Sequence, residues 1–223
     1  MDKIALSWSG GKDCAFALHL LLQNPHISVE RLLTTVTAPS GKVPMHETAS
    51  DLISRQAAAT SIIHDVIKIP DAASNSLYRS IINDTYQLYI KKGLTGIAYA
   101  DIFLEDIRAF RELDIQNAGL RGFWPLWGKS TEDVAKAFIQ EGFQAVVVSV
   151  DASKLSPDFV GQNYDADFLK KLPPMVDPCG ENGEFHTFVF DGPIFQSPIP
   201  LEKGPIFTTM DGRFVHIALQ RSR

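Results

Sequence analysis

The stretch Ser7-Trp8-Ser9-Gly10-Gly11-Lys12-Asp13-Cys14 constrains the fold of this 223-residue chain more than any other. It lies where an apolar run, Lys3 to Trp8, gives way to a segment that is apolar nearly all round, Asp13 to Leu22. The first reads as a buried strand and the second as a helix pressed against a sheet and covered on its other side, so the glycines fall in a strand-to-helix turn. Paired glycines allow a tight turn and a close approach by a ligand, and the N–H groups of a helix start offer an anion partners. Ser9 adds a hydroxyl donor and Lys12 a mobile positive charge. A plain βα turn capped by Asp13 would also use two glycines, but Ser before them and Lys-Asp after them favour an anion site. The spacing is neither that of a Walker A loop nor of a G-x-G-x-x-G dinucleotide turn.

Further strand patterns at Arg31 to Thr37, Asp65 to Ile69 and Gly96 to Ala100 alternate with helical patterns at Thr48 to Ser61, Ser74 to Lys91 and Ile102 to Gln116. That alternation predicts right-handed βαβ units and a mostly parallel sheet, whose ligands collect at the carboxyl ends of the strands. The texture changes around Phe123-Trp124-Pro125-Leu126-Trp127, which precede a helical pattern at Thr131 to Gly142 and a strand pattern at Ala145 to Val150. The remainder is rich in Pro and Gly, with a strand at Glu184 to Phe190 and a hairpin about Asp211-Gly212 joining Ile206–Thr209 to Phe214–Leu219. The expected fold class is α/β, a Rossmann-like domain over residues 1–124 followed by a smaller α+β domain over residues 125–223.

A net charge of −5, with 45% hydrophobic and 21% charged residues, is ordinary globular composition and excludes disorder and collagen-like structure. No apolar run is long enough to span a bilayer, and the first residues lack a signal-peptide pattern, so a cytoplasmic protein without a membrane partner is expected. Two distant cysteines, Cys14 and Cys179, and six scattered histidines argue against a disulfide framework or structural zinc. Without a Lys/Arg block, extended nucleic-acid binding is disfavoured. The aromatic passage Phe123 to Trp127 suits either a homodimer surface or packing between the two domains.

Two other constellations carry chemistry. Asp101, Glu105, Arg108 and Glu112 fall on one helical stripe, opposite Phe103, Ile107 and Phe110. A solvated face with charge pairs accounts for Glu112, whereas Asp101 begins a loop at the sheet's carboxyl edge, beside the glycine turn. The second is Asp177-Pro178-Cys179-Gly180-Glu181-Asn182-Gly183-Glu184-Phe185-His186-Thr187, a turn opening into a strand. Period-two alternation places Glu184 and His186 on one face. Two carboxylates and an imidazole there could bind Mg²⁺, orient an amine or ammonia or shuttle a proton, and a hairpin with polar edge residues is the competing reading.

Ser9-Gly10-Gly11-Lys12-Asp13 resembles the PP-loop of ATP pyrophosphatases, S-G-G-K-D-S, with Cys14 in place of the last Ser. Gly180-Glu181-x-Gly183-Glu184, Thr187 and Asp191-Gly192-Pro193-Ile194-Phe195 are similar to the E-G-G-E-Y-E-T…D-G-P-L-F region of the diphthine–ammonia ligase family, with Asn182 and His186 as departures. The resemblance implies a HUP domain that carries ATP and Mg²⁺, a carboxyl-terminal domain with substrate contacts, and cleavage of ATP to AMP and pyrophosphate. In that family a carboxylate on the modified histidine of elongation factor 2 is adenylated and then displaced by ammonia. Carried onto this chain, the resemblance assigns Ser7, Ser9, Gly10, Gly11, Lys12, Asp13 and Asp101 to the nucleotide, and Asp101 with Glu105 to the metal. Lys12, Asp13, Glu181, Glu184 and His186 form the catalytic set. A small-molecule carboxylate fits the departures as well as diphthine does. A PP-loop tRNA sulfurtransferase and a nucleotide-binding sensor without turnover are the alternative functions.

Overall fold

The computed structural model describes residues 1–220; the last three residues of the expected carboxyl-terminal domain, 221–223, lie outside the described residues. Five strands, β1 (Asp2–Ser7), β2 (Ile27–Ala38), β3 (Ile63–Pro70), β4 (Gly96–Ala98) and β5 (Arg121–Phe123), form a wholly parallel sheet in the order β3-β2-β1-β4-β5. The connecting helices are α1 (Lys12–Leu22), α2 (Ser50–Ala59), α3 (Asn75–Lys91) and α4 (Glu105–Ala118). Strand order reverses between β1 and β4, so their carboxyl ends splay apart and leave the crevice in which doubly wound sheets bind ligands.

Alternation along β1 builds both faces of this sheet. Ile4 and Leu6 pack with Phe16 and Leu18 of α1 and Ile53 of α2, while Ala5 packs with Leu33, Tyr86, Tyr89, Ile97 and Ile115 on the α3/α4 side. β5 was not visible in the sequence pattern because three residues, Arg121-Gly122-Phe123, are too few to show periodicity.

The second part begins after β5 with α5 (Thr131–Gln140), β6 (Gln144–Asp151), α6 (Ala166–Lys171), β7 (Phe185–Asp191), β8 (Glu202–Thr209) and β9 (Phe214–Gln220). Its four strands form an antiparallel sheet in the order β7-β6-β9-β8. β6 is central and buried from Ala145 to Asp151, which explains its run of valines. The two sheets share one hydrophobic core: the cluster holding Ile4 and Phe16 continues through Phe138, Phe143 and Val146 to Phe185 and Phe188. That continuity fixes β7 against the amino-terminal end of α1.

The passage Phe123 to Trp127 packs within the chain. Trp124 stacks on Tyr99 with ring centroids 6.3 Å apart, Leu126 is buried, and the Arg108 guanidinium lies 4.7 Å from the Trp124 ring and 4.5 Å from the Trp127 ring. Among the described residues no helix is long and apolar enough to cross a membrane.

Candidate active site

A cleft of 620 Å³ opens at the carboxyl ends of β1, β2 and β4. The glycine turn floors it, with Ser7, Ser9, Gly11, Lys12, Asp13 and Cys14 exposed to the space. Tyr99, Ala100 and Asp101 line it from the end of β4, Met45 and His46 from the loop after β2, and Gly180 to Gly183 with His186 and Thr187 from the second part.

Gly10 is demanded by this geometry, and Gly11 is tightly enclosed by it. Gly10 has φ +79°, and a Cβ there would lie 2.6 Å from Ile53 Cδ1 and 2.7 Å from Gln56 Oε1. At Gly11 a Cβ would stand 3.0 Å from His46 Cε1 and 3.4 Å from the Thr187 carbonyl oxygen, so the smallest residue lets the two halves of the chain meet. The first bond within α1 runs from Ala15 N–H to Gly11 O at 3.0 Å, leaving the Asp13 and Cys14 N–H groups beyond the helix's own acceptors. The Lys12 N–H is used differently, donating to Thr187 Oγ1 at 3.0 Å. Asp13 does not cap the helix: the cap position is Gly11, without a side-chain bond.

Gln56 of α2 is the polar clamp behind this turn. It is fully buried, accepts from Trp8 Nε1 at 2.9 Å, and donates to Gly10 O at 2.9 Å and Val189 O at 2.6 Å. The Val189 N–H in turn donates to Gly10 O at 3.0 Å. The glycine turn, α2 and β7 are thereby tied at one point, a role that its sequence neighbourhood did not signal.

Lys12 is not the mobile cation that the sequence suggested. Its side chain is 4% exposed, reaches both Asp13 carboxylate oxygens at 2.8 Å, donates to the Cys179 carbonyl and lies over the Tyr164 and Phe185 rings. Burial is the largest single influence and works to strip its proton, but the charge and hydrogen bond of Asp13, with Cys179 and Glu181 nearby, together outweigh it and the net direction is up, so Lys12 stays charged. The turn therefore carries a fixed, pre-oriented positive charge.

Asp101 lines the cleft, yet Arg111 Nη1 holds both its oxygens, at 2.7 and 2.6 Å. Arg111 also lies 4.3 Å from the Tyr99 ring centroid and lines the cleft itself, so the cation contributed here by α4 is Arg111, where the stripe pattern named Arg108. The stripe fails because α4 begins only at Glu105, leaving Asp101 in the preceding loop. Phe103 and Ile107, on the side opposite the charges, are partly exposed, while Ile115 and Ala118 are the buried residues of α4. Glu105 is exposed at the helix start and does not line the cleft. Among the described residues no three His, Cys, Asp or Glu side chains gather to hold a metal. With Asp101 engaged by Arg111, the side chains do not fit a protein-held ion.

The second constellation divides. Asp177 Oδ1 accepts from Cys179 N–H at 2.8 Å and Glu181 N–H at 3.1 Å, setting the turn. Glu184, 4% exposed, accepts from Asp177 N–H at 3.1 Å and Asn182 Nδ2 at 3.2 Å and does not reach the cleft, so it positions the loop from behind. Glu181 and His186 do reach it. Glu181 accepts from Ile102 N–H at 2.7 Å, and its burial, which outweighs that bond, pushes its carboxyl up to about 7. His186 faces His46, with ring centroids 4.7 Å apart, and His46 pairs through Nδ1 with the Thr187 carbonyl at 3.2 Å. Burial lowers both imidazoles, His46 to about 4, with Lys12 adding to the effect, so both are neutral at pH 7.

Because the Glu181 carboxyl is raised in the folded chain, the native state binds the extra proton between its ordinary value, 4.5, and about 7. Its contribution to stability is present below 4.5 and is lost as pH rises through about 7. Glu181→Gln should remove that loss. Urea midpoints at pH 5 and pH 8 should converge in the variant relative to the wild type, and an unchanged difference would contradict the raised carboxyl.

Residues 130–221 match the family model described as diphthamide synthase C-terminal domain. The chain is 24% identical to the diphthine–ammonia ligase of Homo sapiens, over 98% of this chain and 90% of that one. Against that of Bos taurus it is 28% identical, over 63% of this chain and 56% of the relative's length. Among solved structures, the U34-tRNA thiolase of Methanococcus maripaludis aligns with TM-score 0.39 and 14% identity, covering 62% of this chain and 56% of that one. Residues 130–221 are thus similar to the diphthamide synthase C-terminal domain, and along almost its whole length the chain is similar to the diphthine–ammonia ligases.

Proposed function

We propose that the chain is an ATP-dependent carbon–nitrogen ligase that adenylates a carboxylate and passes the acyl group to ammonia or an amine. One observation carries this reading: the glycine turn with its buried Lys12 and the Gly180-to-Thr187 segment are in contact and together line a single cleft at the β1/β4 reversal. A nucleotide seated on the turn would therefore present its phosphates to whatever that segment holds. The similarity to diphthine–ammonia ligases supports the same reading.

In the first step a carboxylate oxygen of the substrate attacks the α phosphorus, the bond to the β-phosphate oxygen breaks, and pyrophosphate leaves with the electron pair. Ser9, the N–H groups at the start of α1, and Lys12 would stabilise the charge that develops on the phosphate oxygens. Arg111 adds a second cation whose guanidinium can share its carboxylate partner with a phosphate. Mg²⁺ enters this proposal as the counter-ion that ATP brings, and no step is assigned to an ion held by the side chains. In the second step the amine nitrogen attacks the acyl carbon and AMP leaves. The neutral His46 and His186 offer it a site without positive charge beyond Lys12, and Glu181, titrating about pH 7, is suited to take the proton that turns ammonium into the attacking ammonia.

The acceptor is either protein-borne diphthine or a smaller carboxylate. With ATP, magnesium, ammonium and a panel that includes a diphthine-bearing elongation factor 2, the full chain should release AMP and pyrophosphate in step with amide formation. Release of ADP and phosphate, or binding without turnover across the panel, would contradict the reading.

A further inference from the structure

Six buried side-chain atoms among the described residues lack a hydrogen-bond partner, and three of them lie side by side: His186 Nε2, Ser149 Oγ and His216 Nδ1. Ser149 is the register partner of His186 on one side, in β7, and of His216 on the other, in β9. The pairing of β6 with β7 shifts between Val147 and Ser149, an irregularity of the kind that re-aims side chains near functional sites. Ser149 and His216 are 0% and 1% exposed, whereas His186 keeps one edge in the cleft. At the far end His216 Nε2 pairs with Thr209 Oγ1 at 2.8 Å, and Thr209 is half-buried in β8. The row therefore crosses three strands from the cleft and ends one hydroxyl short of the outer surface.

Three adjacent orphaned polar atoms inside a buried sheet would each cost free energy if dry, and groups so placed are ordinarily satisfied by ordered water. We propose that His186, Ser149, His216 and Thr209, bridged by buried water, form a path that carries a proton from the cleft to the surface during the amide-forming step. This rests on the ligase reading above. When ammonia attacks the acyl adenylate the N–C bond forms, the acyl C–O bond breaks, AMP takes the electron pair, and one proton must leave nitrogen. His186 can accept it, but burial, His46 and Lys12 prevent the imidazole from keeping it, as do His216 and Lys154 more weakly. With substrate filling the cleft, the row is the exit on the other side of that ring. The covering loop supplies Lys42 and Glu47, paired at 3.1 Å, as the charged groups that face His216.

The test separates the half-reactions. Ser149→Ala should leave carboxylate-dependent ATP–pyrophosphate exchange within about twofold of wild type, lower amide formation from ammonium at least about tenfold, and enlarge the solvent deuterium isotope effect on that step. His216→Gln should do the same. Loss of both half-reactions together, or loss of neither, would overturn the path. Absence of exchange in the wild type would instead sink the ligase reading, and the path with it. In the unmodified protein, water-exchange NMR should show the His216 ring N–H exchanging readily with solvent. A slowly exchanging, dry ring would contradict the path whatever the variants do.

Discussion

Lys12→Met should lower pyrophosphate release by about 10²- to 10³-fold, the usual consequence of removing one fixed charge from a transition-state site. The side chain has few other tasks: it is buried, held by Asp13 at 2.8 Å, and its ammonium lies 5.6 and 5.7 Å from the Tyr164 and Phe185 ring centroids. Methionine keeps most of that packing. It leaves Asp13 without its partner, however, and breaking a buried pair from one side costs about 3–5 kcal/mol, here toward the low end because Asp13 is 27% exposed. Loss of activity could then be loss of fold. Lys12→Met with Asp13→Asn separates the two: the urea midpoint should recover while turnover stays low. A double variant with wild-type turnover would remove Lys12 from the chemistry.

Gln56→Leu should be the most destabilising single change behind the cleft. One amide satisfies the Trp8 ring N–H, the Gly10 carbonyl and the Val189 carbonyl, and none of the three is near water. Gly10 O retains the Val189 N–H, so two groups are stranded outright. At about 1–3 kcal/mol for each, the expected loss is about 2–6 kcal/mol. It should appear as a lower urea midpoint with an unchanged slope. Because the clamp ties the glycine turn to β7, nucleotide affinity should fall as well, even where the variant remains folded. A midpoint shift equivalent to less than about 1 kcal/mol would show that the amide is not the joint described here.

The parallel sheet was legible because each of its long elements shows its own period: strand, turn and helix in sequence around the glycines, then repeated. The glycine turn was legible for the same local reason. What lay beyond the sequence was contact between distant residues. His46 reaches Thr187 across 141 positions and Gln56 reaches Val189 across 133, and neither residue stands in a motif. Arg111 was overshadowed by Arg108 because the helical stripe was counted from Asp101, although α4 starts four residues later. Glu184 and His186 share a face in a regular strand, but β7 begins only at Phe185, so the turn holds Glu184 for itself and sends His186 to the cleft. Glu105 stays outside for the related reason that it opens the helix on its exposed side.

In the proposed ligase, the turn at Ser7 to Cys14 seats a nucleotide triphosphate with its α phosphorus facing the Gly180-to-Thr187 segment. Calorimetric titration of the full chain with ATP and magnesium, run beside the Lys12→Met/Asp13→Asn variant, measures that seating. Saturable one-site uptake is expected in the wild type, with at least about a tenfold weaker affinity in the variant, because a charge-assisted contact worth about 1.5 kcal/mol or more is lost. No uptake by folded wild-type protein, or equal affinity in the two, would contradict that seating.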